Sequence, residues 1–463
     1  MSRSAEAARR GAELALPYVA IHKVAREREE MFRMGEPFER TMGIVNGILK
    51  PMGQSLKESP IPPYQDYAHL GVAMIDSDVE HFQDIAAAMA DRDRKVALFE
   101  FVMAPQLFHA FDCATLCLET FPSFFARVDG KLAHEFLDAA EEAGVPSDTC
   151  SNDRFIIGAA LLGELPSNAF FVTSSAPCDG TRVAYPILQK MLEVPMLYLD
   201  APFRDDREAI RYYAAQMKDE LIPFVEEHTG RKFDIDRFRE AVVESNKAYQ
   251  VMVDIHDTFL VKPAPHPGML RLAPFMIFFR GAGRPGTTRT LEVFREDAAR
   301  RVREGRTEGP FEEKHRVMWV HVPPTYDREL FAWMEENFGA TVVVNSLASI
   351  MRLEPVDPSS LDTMLEGVAW QGLDMTMSFM RLETEAFLDY SLRAYDRYDC
   401  DCVITTQHIG CQSICGARGL LRAQCRERGI PLLFLEFDYN DDRVLSSGAM
   451  REQIEEFFMT VMA

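Results

Sequence analysis

The sequence lacks the features that mark export, a membrane span or a basic surface. No apolar run approaches the roughly 18 residues of a spanning helix. Residues 1–30 contain arginines but no long apolar core, which predicts an amphipathic helix and not a signal peptide. The net charge of −22 argues against nucleic acid and anionic membranes as partners. These absences predict a cytoplasmic protein, a compartment in which disulfides are rare.

Several cofactor motifs are also missing. The chain has no C-x-x-C pair of the zinc-ribbon kind and no G-x-x-x-x-G-K-[ST] loop for ATP. Neither C-x-x-x-C pair is followed three residues on by another cysteine, because Thr120 and Arg418 stand there, which removes the usual radical S-adenosylmethionine pattern. The GAGRPG stretch has the wrong spacing for a dinucleotide loop. We therefore predict that this chain itself binds no nucleotide.

Strand-like and helix-like segments alternate in two parts of the chain. KVALFEFVMAP, NAFFVTSS and PMLYLD read as strands in the first part, and HRVMWVHVPP, ATVVVNS, CVITTQ and PLLFLEFD in the second. The residues around Cys113 and Cys117 read as helical. The pattern predicts an α/β fold with two flavodoxin-like parallel-sheet domains. The predicted bounds are a helical N-terminal region (1–94), a first α/β domain (95–205), a helical connection (206–310) and a second α/β domain (311–463).

Cysteine is absent from residues 1–112 and from the whole stretch between Cys178 and Cys400. The nine cysteines are therefore confined to the two α/β parts, and several follow a strand-like run. Open α/β sheets build their sites at that place. Thiolates supplied from several strand ends indicate soft-metal or iron–sulfur ligation more than disulfides.

Three cysteines stand at predicted turns or helix starts. Cys178, two residues before Gly180, lies in a turn after the strand NAFFVTSS. Cys411 follows Gly410 and opens a helix, and Cys150 precedes the helical run FIIGAALLG. A helix N-terminus favours a thiolate. A buried structural cysteine is the alternative reading at each position.

Other residues near these turns are interpreted as structural. Cys415 lies one helical turn after Cys411, and we expect it to pack on the inner face of that helix. His408 could ligate a metal or donate a hydrogen bond, although a lone histidine is more often structural. Cys400 and Cys402 flank or begin a strand.

At these segments the chain resembles the 2-hydroxyacyl-CoA dehydratase and benzoyl-CoA reductase family. The likeness runs from about Lys95 to the last residue. It rests on Cys150, on APCDG with Cys178, and on HIGCQSICG with Cys411. The stretches KPAPHPGM, FFRGAGRPG and GIPLLFLEFDYNDDR also look like parts of the family's larger subunits.

The resemblance implies a [4Fe-4S] cluster with an open iron site, held by Cys150, Cys178 and Cys411. Cys415 or His408 is a less favoured ligand. The resemblance also implies an acyl-CoA thioester substrate, a homologous second subunit and a separate ATP-dependent iron–sulfur activator protein. In such enzymes one electron turns the thioester carbonyl into a ketyl radical anion, which expels the 2-hydroxyl group. A base then removes the β-proton, and the electron returns to the protein.

Three functions remain open from the sequence. The first is an oxygen-sensitive lyase subunit that converts an (R)-2-hydroxyacyl-CoA into the 2-enoyl-CoA. The second is a benzoyl-CoA reductase-like subunit that reduces an aromatic acyl-CoA. The third is a non-catalytic electron-transfer or scaffold subunit that binds a cluster. Glu119 and His109 are candidates for the base, with a cap, a supporting hydrogen-bond donor or a solvated side chain as the favoured alternative for each. Ser123 is a candidate for substrate contact.

Overall fold

The structure is a computed structural model, and it describes residues 39–58, 65–91, 93–128, 130–166, 168–305, 311–348, 354–374, 382 and 384–463. The strands are β1 (Val96–Phe99), β2 (Ala114–Cys117), β3 (Ala169–Ser174), β4 (Met196–Leu199), β5 (His315–Val320), β6 (Ala340–Asn345), β7 (Cys402–His408) and β8 (Leu432–Phe437).

The α-helices lie between and around these strands and are numbered in chain order. They are α1 (Glu39–Ile44), α2 (Lys50–Glu58), α3 (Ala68–Ala90), α4 (Pro105–His109), α5 (Phe121–Val128), α6 (Gly130–Glu142), α7 (Ser151–Leu161), α8 (Asp179–Leu192), α9 (Arg207–Gln216), α10 (Ile222–Thr229), α11 (Ile235–Thr258), α12 (Ala273–Gly281), α13 (Pro285–Glu304), α14 (Leu330–Phe338), α15 (Leu361–Leu373), α16 (Thr384–Arg397), α17 (Gln412–Arg428) and α18 (Ser447–Thr460). Among the described helices, none is long and apolar enough to cross a membrane.

Two four-stranded parallel sheets form the framework of the fold. Their strand orders are β2-β1-β3-β4 and β6-β5-β7-β8, so the two sheets repeat one topology. This is the flavodoxin-like order, in which the strand order reverses between the first and third strands. The predicted α/β fold with two parallel sheets is confirmed, as are helices before the first sheet and between the two sheets within the described residues. The amphipathic helix predicted for residues 1–30 lies outside the described residues. Ligands in such sheets bind at the carboxyl ends of the strands beside that reversal.

One segment of the first sheet differs from its predicted structure. The residues between Cys113 and Cys117 were expected to be helical, and the structure places Ala114–Cys117 in strand β2. This strand pairs with β1 in parallel, with Val96 opposite Ala114 and Phe99 opposite Cys117. All four residues of β2 are buried, so the segment does not show the alternation of apolar and polar residues that would indicate a strand. Pairing with β1 therefore decides the conformation, and local preference does not.

Helices cover both faces of the first sheet, which makes its strands apolar throughout. Phe99 and Phe170 project into one hydrophobic cluster, and Leu98 and Phe171 into another. Every residue of β1 and β3 is buried. A parallel sheet covered on both sides gives this continuous pattern. Burial of the strands fixes the positions of the turns that follow them.

Local capping also follows the sequence. Asp234 caps α11 by accepting hydrogen bonds from the backbone amides of Asp236 and Arg237, a role that aspartate often takes at a helix start. Gly144, two residues after the last residue of α6, has a φ of +97°, a conformation that glycine adopts without strain.

We predict that Gly158→Ala destabilises the protein and that Gly416→Ala does not. A Cβ at Gly158 in α7 would lie 1.8 Å from the backbone oxygen of Phe136 in α6, whereas one at Gly416 in α17 would meet no atom within 4 Å. The first substitution should cost about 1–3 kcal/mol of unfolding free energy because of overpacking. The second should add about 0.5–1 kcal/mol, since alanine favours a helix. Urea unfolding of both variants checks this; equal effects would contradict the close packing of α6 on α7.

Candidate functional site

Three helices begin directly after a cysteine. Cys150 is the N-cap residue of α7, Cys178 that of α8, and Cys411 that of α17. Cys178 follows β3 and Cys411 follows β7, so each stands at the carboxyl end of the third strand of its sheet. The helix starts predicted for Cys150 and Cys411 are observed, and Cys178 starts a helix as well. The three thiols therefore lie at the positive ends of three helix dipoles.

Two glycines allow the three cysteine-bearing turns to meet. A Cβ at Gly410 would lie 2.5 Å from the Cα of Cys150. A Cβ at Gly180 would lie 3.6 Å from the Cβ of Cys150 and 2.2 Å from a carboxylate oxygen of Asp153. Any larger residue at either position would push the turns apart. The structure therefore brings Cys150, Cys178 and Cys411 to one place between the two sheets.

A buried ion pair holds helix α7 against the second sheet at this place. Nη2 of Arg154 in α7 lies 2.7 Å from Oδ2 of Asp438, the residue after β8, and both side chains are at most 2% exposed. Arg154 also donates from Nε to the carbonyl oxygen of Thr149, at 3.0 Å. The side-chain amide of Asn440 donates to Oδ1 of Asn152 at 2.8 Å. These contacts tie the turn before Cys150 to the carboxyl edge of the second sheet.

Burial opposes ionisation of all three thiols. It raises the pKa of Cys411 to about 11, with the backbone amides of Ile414 and Ser413 acting in the opposite direction. Burial raises the pKa of Cys178 further, and the pKa of Cys150 well above its usual range. Negative charge on one of the three further raises the pKa of another, so three thiolates need a compensating positive charge. A metal centre bound there supplies such a charge.

The spacing of the thiols distinguishes between kinds of metal centre. Sulfur ligands of one zinc ion lie about 2.3 Å from the metal, hence within about 4.6 Å of one another. Within the described ranges, the one triad of metal-binding side chains with ligand atoms all within 4.8 Å is His134, Asp441 and Asp442. The sulfur atoms of at least two of the three cysteines are therefore more than 4.8 Å apart. Converging but separated cysteines fit a cluster of several metal atoms better than a single ion.

Each thiol has a polar neighbour on its own side of the site. Tyr439 Oη lies 3.2 Å from Cys150 Sγ, and Thr181 Oγ1 lies 3.9 Å from Cys178 Sγ. Nε2 of His321, the residue after β5, lies 3.9 Å from Cys411 Sγ. Donors to ligand sulfurs tune the electronic properties of thiolate-bound metal centres.

A buried carboxyl group adjoins the thiols. Asp153 lies one turn into α7, is 2% exposed, and raises the pKa values of Cys150 and Cys178 by its charge. Burial, with a smaller effect from Glu119, raises the pKa of Asp153 to about 8. The sequence did not single out Asp153. Asp153 lies three residues after the N-cap residue Cys150. This spacing indicates a site residue only once Cys150 is known to face the site.

Two further buried carboxyl groups are those of Glu119 and Glu100, and the charge of Glu119 raises the pKa of both Asp153 and Glu100. Burial raises the pKa of Glu119 to about 7, although hydrogen bonds from Tyr185 and Cys117 act in the opposite direction. Burial and then the charge of Glu119 raise the pKa of Glu100, the residue after β1. Glu100 accepts hydrogen bonds from Thr173 Oγ1 at 3.0 Å and from Ser174 Oγ at 2.5 Å. Buried carboxyl groups with pKa values raised in this way are suited to acid–base chemistry.

The remaining predicted residues lie elsewhere or take other roles. His109 Nε2 lies 3.3 Å from the carbonyl oxygen of Ala282, in the helical connection. The ring of His408 is fully buried and packs on Tyr439 with centroids 4.2 Å apart. Ser123 belongs to α5, but its side chain lies outside the described part of the structure.

The prediction for Cys415 is wrong. This residue is exposed, so it does not pack on the inner face of α17. Its thiol points back to the carbonyl oxygen of His408, at 3.2 Å. By contrast Cys400 and Cys402 are buried at the start of β7, as expected of structural residues.

Comparison with known proteins identifies the family. The profile of the 2-hydroxyglutaryl-CoA dehydratase D-component family matches residues 101–460, which is most of the chain. The chain belongs to this family. It is 25% identical over 356 residues to a benzoyl-CoA reductase subunit of Thauera aromatica, covering 70% of this chain and 78% of that protein.

Dehydratase subunits are also among the relatives of this chain. (R)-phenyllactyl-CoA dehydratase alpha subunit of Clostridium sporogenes is 22% identical over 328 residues, which is 68% of this chain and 77% of that protein. The alpha subunit of (R)-2-hydroxyglutaryl-CoA dehydratase of Acidaminococcus fermentans is 25% identical over 225 residues, 45% of this chain and 46% of that protein. The family resemblance seen in the cysteine turns is therefore confirmed.

We predict that Asp153→Asn weakens the pH dependence of stability in the cluster-free protein. The pKa of Asp153 is raised from 3.8 to about 8, so the folded state holds a proton that the unfolded state releases above pH 4. Stability contributed by this group is thus full at low pH and falls by about 1.4 kcal/mol per pH unit between pH 5 and 7. In the variant, the unfolding free energy measured with urea should fall less steeply with pH over this range. Asp179→Asn, at an exposed position, is the control; parallel profiles for Asp153→Asn and the original chain would contradict the assignment.

Proposed function

We propose that this chain is a subunit of an oxygen-sensitive [4Fe-4S] 2-hydroxyacyl-CoA dehydratase. The observation that carries the proposal is the convergence of three cysteines, each at a helix N-cap position, at one site between the sheets. The family match and the dehydratase relatives support the same reaction class. The reaction removes water from an (R)-2-hydroxyacyl-CoA and yields the 2-enoyl-CoA.

In this proposal Cys150, Cys178 and Cys411 hold the cluster. Their positions at helix N-termini favour thiolates, and all three residues are half-buried. When bound, the cluster supplies a low-potential electron and an iron site open to a substrate oxygen. Cys415 is exposed and the ring of His408 faces Tyr439, so neither is favoured as a further ligand.

Glu119 is the proposed base. The β-hydrogen of a 2-hydroxyacyl thioester is not acidic, but it becomes acidic in the radical formed when a ketyl radical anion expels its 2-hydroxyl group. A carboxylate with a pKa near 7 can accept that proton near neutral pH. Tyr185 and Cys117 hold the two carboxylate oxygens in place. Asp153, a buried carboxyl group whose charge acts on Cys150 and Cys178, is the proposed donor of a proton to the departing hydroxide.

The proposal includes partners beyond this chain. The relatives are subunits by name, which supports a homologous second subunit. The sequence carries no ATP-binding loop, so the electron would come from a separate ATP-dependent activator. Nine free cysteines suit a reducing cytoplasm.

A benzoyl-CoA reductase-like activity is the second candidate. The relative with that name aligns with 70% of this chain, more than the dehydratase subunits do. The two activities differ in electron balance, since dehydration returns its electron and reduction consumes two per product. Product analysis with a measured electron input distinguishes them.

We predict that Cys178→Ser and Cys411→Ser abolish cluster binding, because each removes a ligand thiolate. Iron and sulfide per chain after anaerobic purification give the readout. Cys425→Ser and Cys415→Ser serve as controls, since Cys425 is buried in the core and Cys415 is exposed. Full iron content in the Cys411 variant would remove the ligand assignment.

We predict that Glu119→Gln lowers the turnover number about 10²–10⁴-fold, the usual contribution of a general base, without loss of iron. In the original enzyme turnover should rise with pH and level off above about 7, because the carboxyl group is protonated and inactive as a base below its pKa. The variant should lose that rise. Glu142→Gln, at an exposed position of α6, is the matched control. A variant that keeps both rate and pH profile would exclude Glu119 as the base.

A further inference from the structure

His321 adopts a backbone conformation that its residue type seldom takes. Its φ is +73°, in the left-handed region that favours glycine. Its amide donates to Ser346 Oγ at 2.9 Å, and its carbonyl oxygen accepts from Asn345 Nδ2 at 2.9 Å. The end of β6 therefore fixes the backbone from both sides. Such strain is found where the surrounding structure holds a side chain in a required position.

The strained backbone directs the imidazole to the cysteine site. The side chain is 3% exposed, and Nε2 lies 3.9 Å from Cys411 Sγ. Nδ1 is buried, with no hydrogen-bond partner in the described part of the chain. The fold thus buries a polar ring whose Nε2 contacts the thiol of Cys411. Both the imidazolium and the Nε2–H tautomer can donate from this nitrogen.

The topology of the second sheet explains the contact. β5 and β7 are neighbours, with Val320 opposite Thr405, and the chain order of the sheet reverses between them. His321 is the first residue after β5, and Cys411 lies in the turn after β7. The two side chains therefore meet at the position where a flavodoxin-like sheet binds its ligand. Glu100 occupies the equivalent position after β1 in the first sheet.

We propose that His321 is a positioning residue that donates a hydrogen bond from Nε2 to the ligand sulfur of Cys411 and raises the reduction potential of the cluster. This inference rests on the proposed cluster at Cys150, Cys178 and Cys411. Reduction adds negative charge to a cluster and its sulfurs, so a donor at a ligand sulfur stabilises the reduced form. The residue would then set how strong a reductant the loaded protein is.

The test is a redox titration of the full chain, purified without oxygen and followed by EPR. His321→Leu fills the space but removes the donor, whereas His321→Gln keeps an N–H donor. We expect the Leu variant to show about a tenfold lower reduced-to-oxidised ratio at a fixed potential, equal to a midpoint about 59 mV lower for one electron. The Gln variant should stay closer to the original midpoint. His315→Leu, at the other end of β5, should leave it unchanged.

His321→Gly guards against misfolding, because glycine accepts a φ of +73° and also removes the donor. It should lower the midpoint in the same direction as the Leu variant. Pulsed EPR before and after transfer to D₂O detects an exchangeable proton coupled to the reduced cluster. The signal of this proton should be weaker in the Leu and Gly variants than in the original chain.

The outcomes separate the role of His321 from the function on which it rests. If the original chain assembles no cluster, the proposed function fails. If the Leu or Gly variant holds a full cluster with an unchanged midpoint, the hydrogen-bond role of His321 is wrong while the cluster assignment stands. Loss of the cluster from a folded Gly variant would also contradict the inference, since His321 would then be needed for retention and not for tuning.

Discussion

The whole site depends on the burial of three cysteines where three helices begin. Helix N-termini favour thiolates, but burial raises the pKa of each thiol and the three would repel one another if ionised. A strongly positive centre among them resolves this conflict. Nearby, Asp153 and Glu119 are buried carboxyl groups with raised pKa values. Burial thus raises the pKa values both of the thiols proposed to bind the metal and of the carboxyl groups proposed to transfer protons.

The site exists because the two sheets present their carboxyl ends to each other. The first sheet contributes Cys178, the second contributes Cys411, and α7 contributes Cys150 between them. The buried pair of Arg154 and Asp438 fixes α7 against the second sheet. Removing one partner of a buried pair is costly, because it leaves an uncompensated charge. The geometry of the site is therefore a property of both halves together, and neither half alone holds all three thiols.

Much of the fold could be predicted from the sequence, because buried parallel strands leave long apolar runs such as AFFVTS in β3 and ATVVVN in β6. Strand β2 could not, since its four residues carry no periodic pattern and its pairing with β1 is a tertiary effect. The cysteine turns were visible because Gly180 and Gly410 stand beside them. Asp153 and His321 could not be predicted as site residues, because contacts between segments distant in the sequence bring them to the site.

The most direct test of the cluster assignment is the metal content of the chain after purification without any exposure to oxygen. Iron and acid-labile sulfide should be measured per chain, and the EPR spectrum recorded after reduction. We expect about four irons and four sulfides, as a cubane cluster on three thiolates requires, with a signal that air destroys. Stoichiometric zinc, or no metal at all in a folded protein, would contradict the assignment.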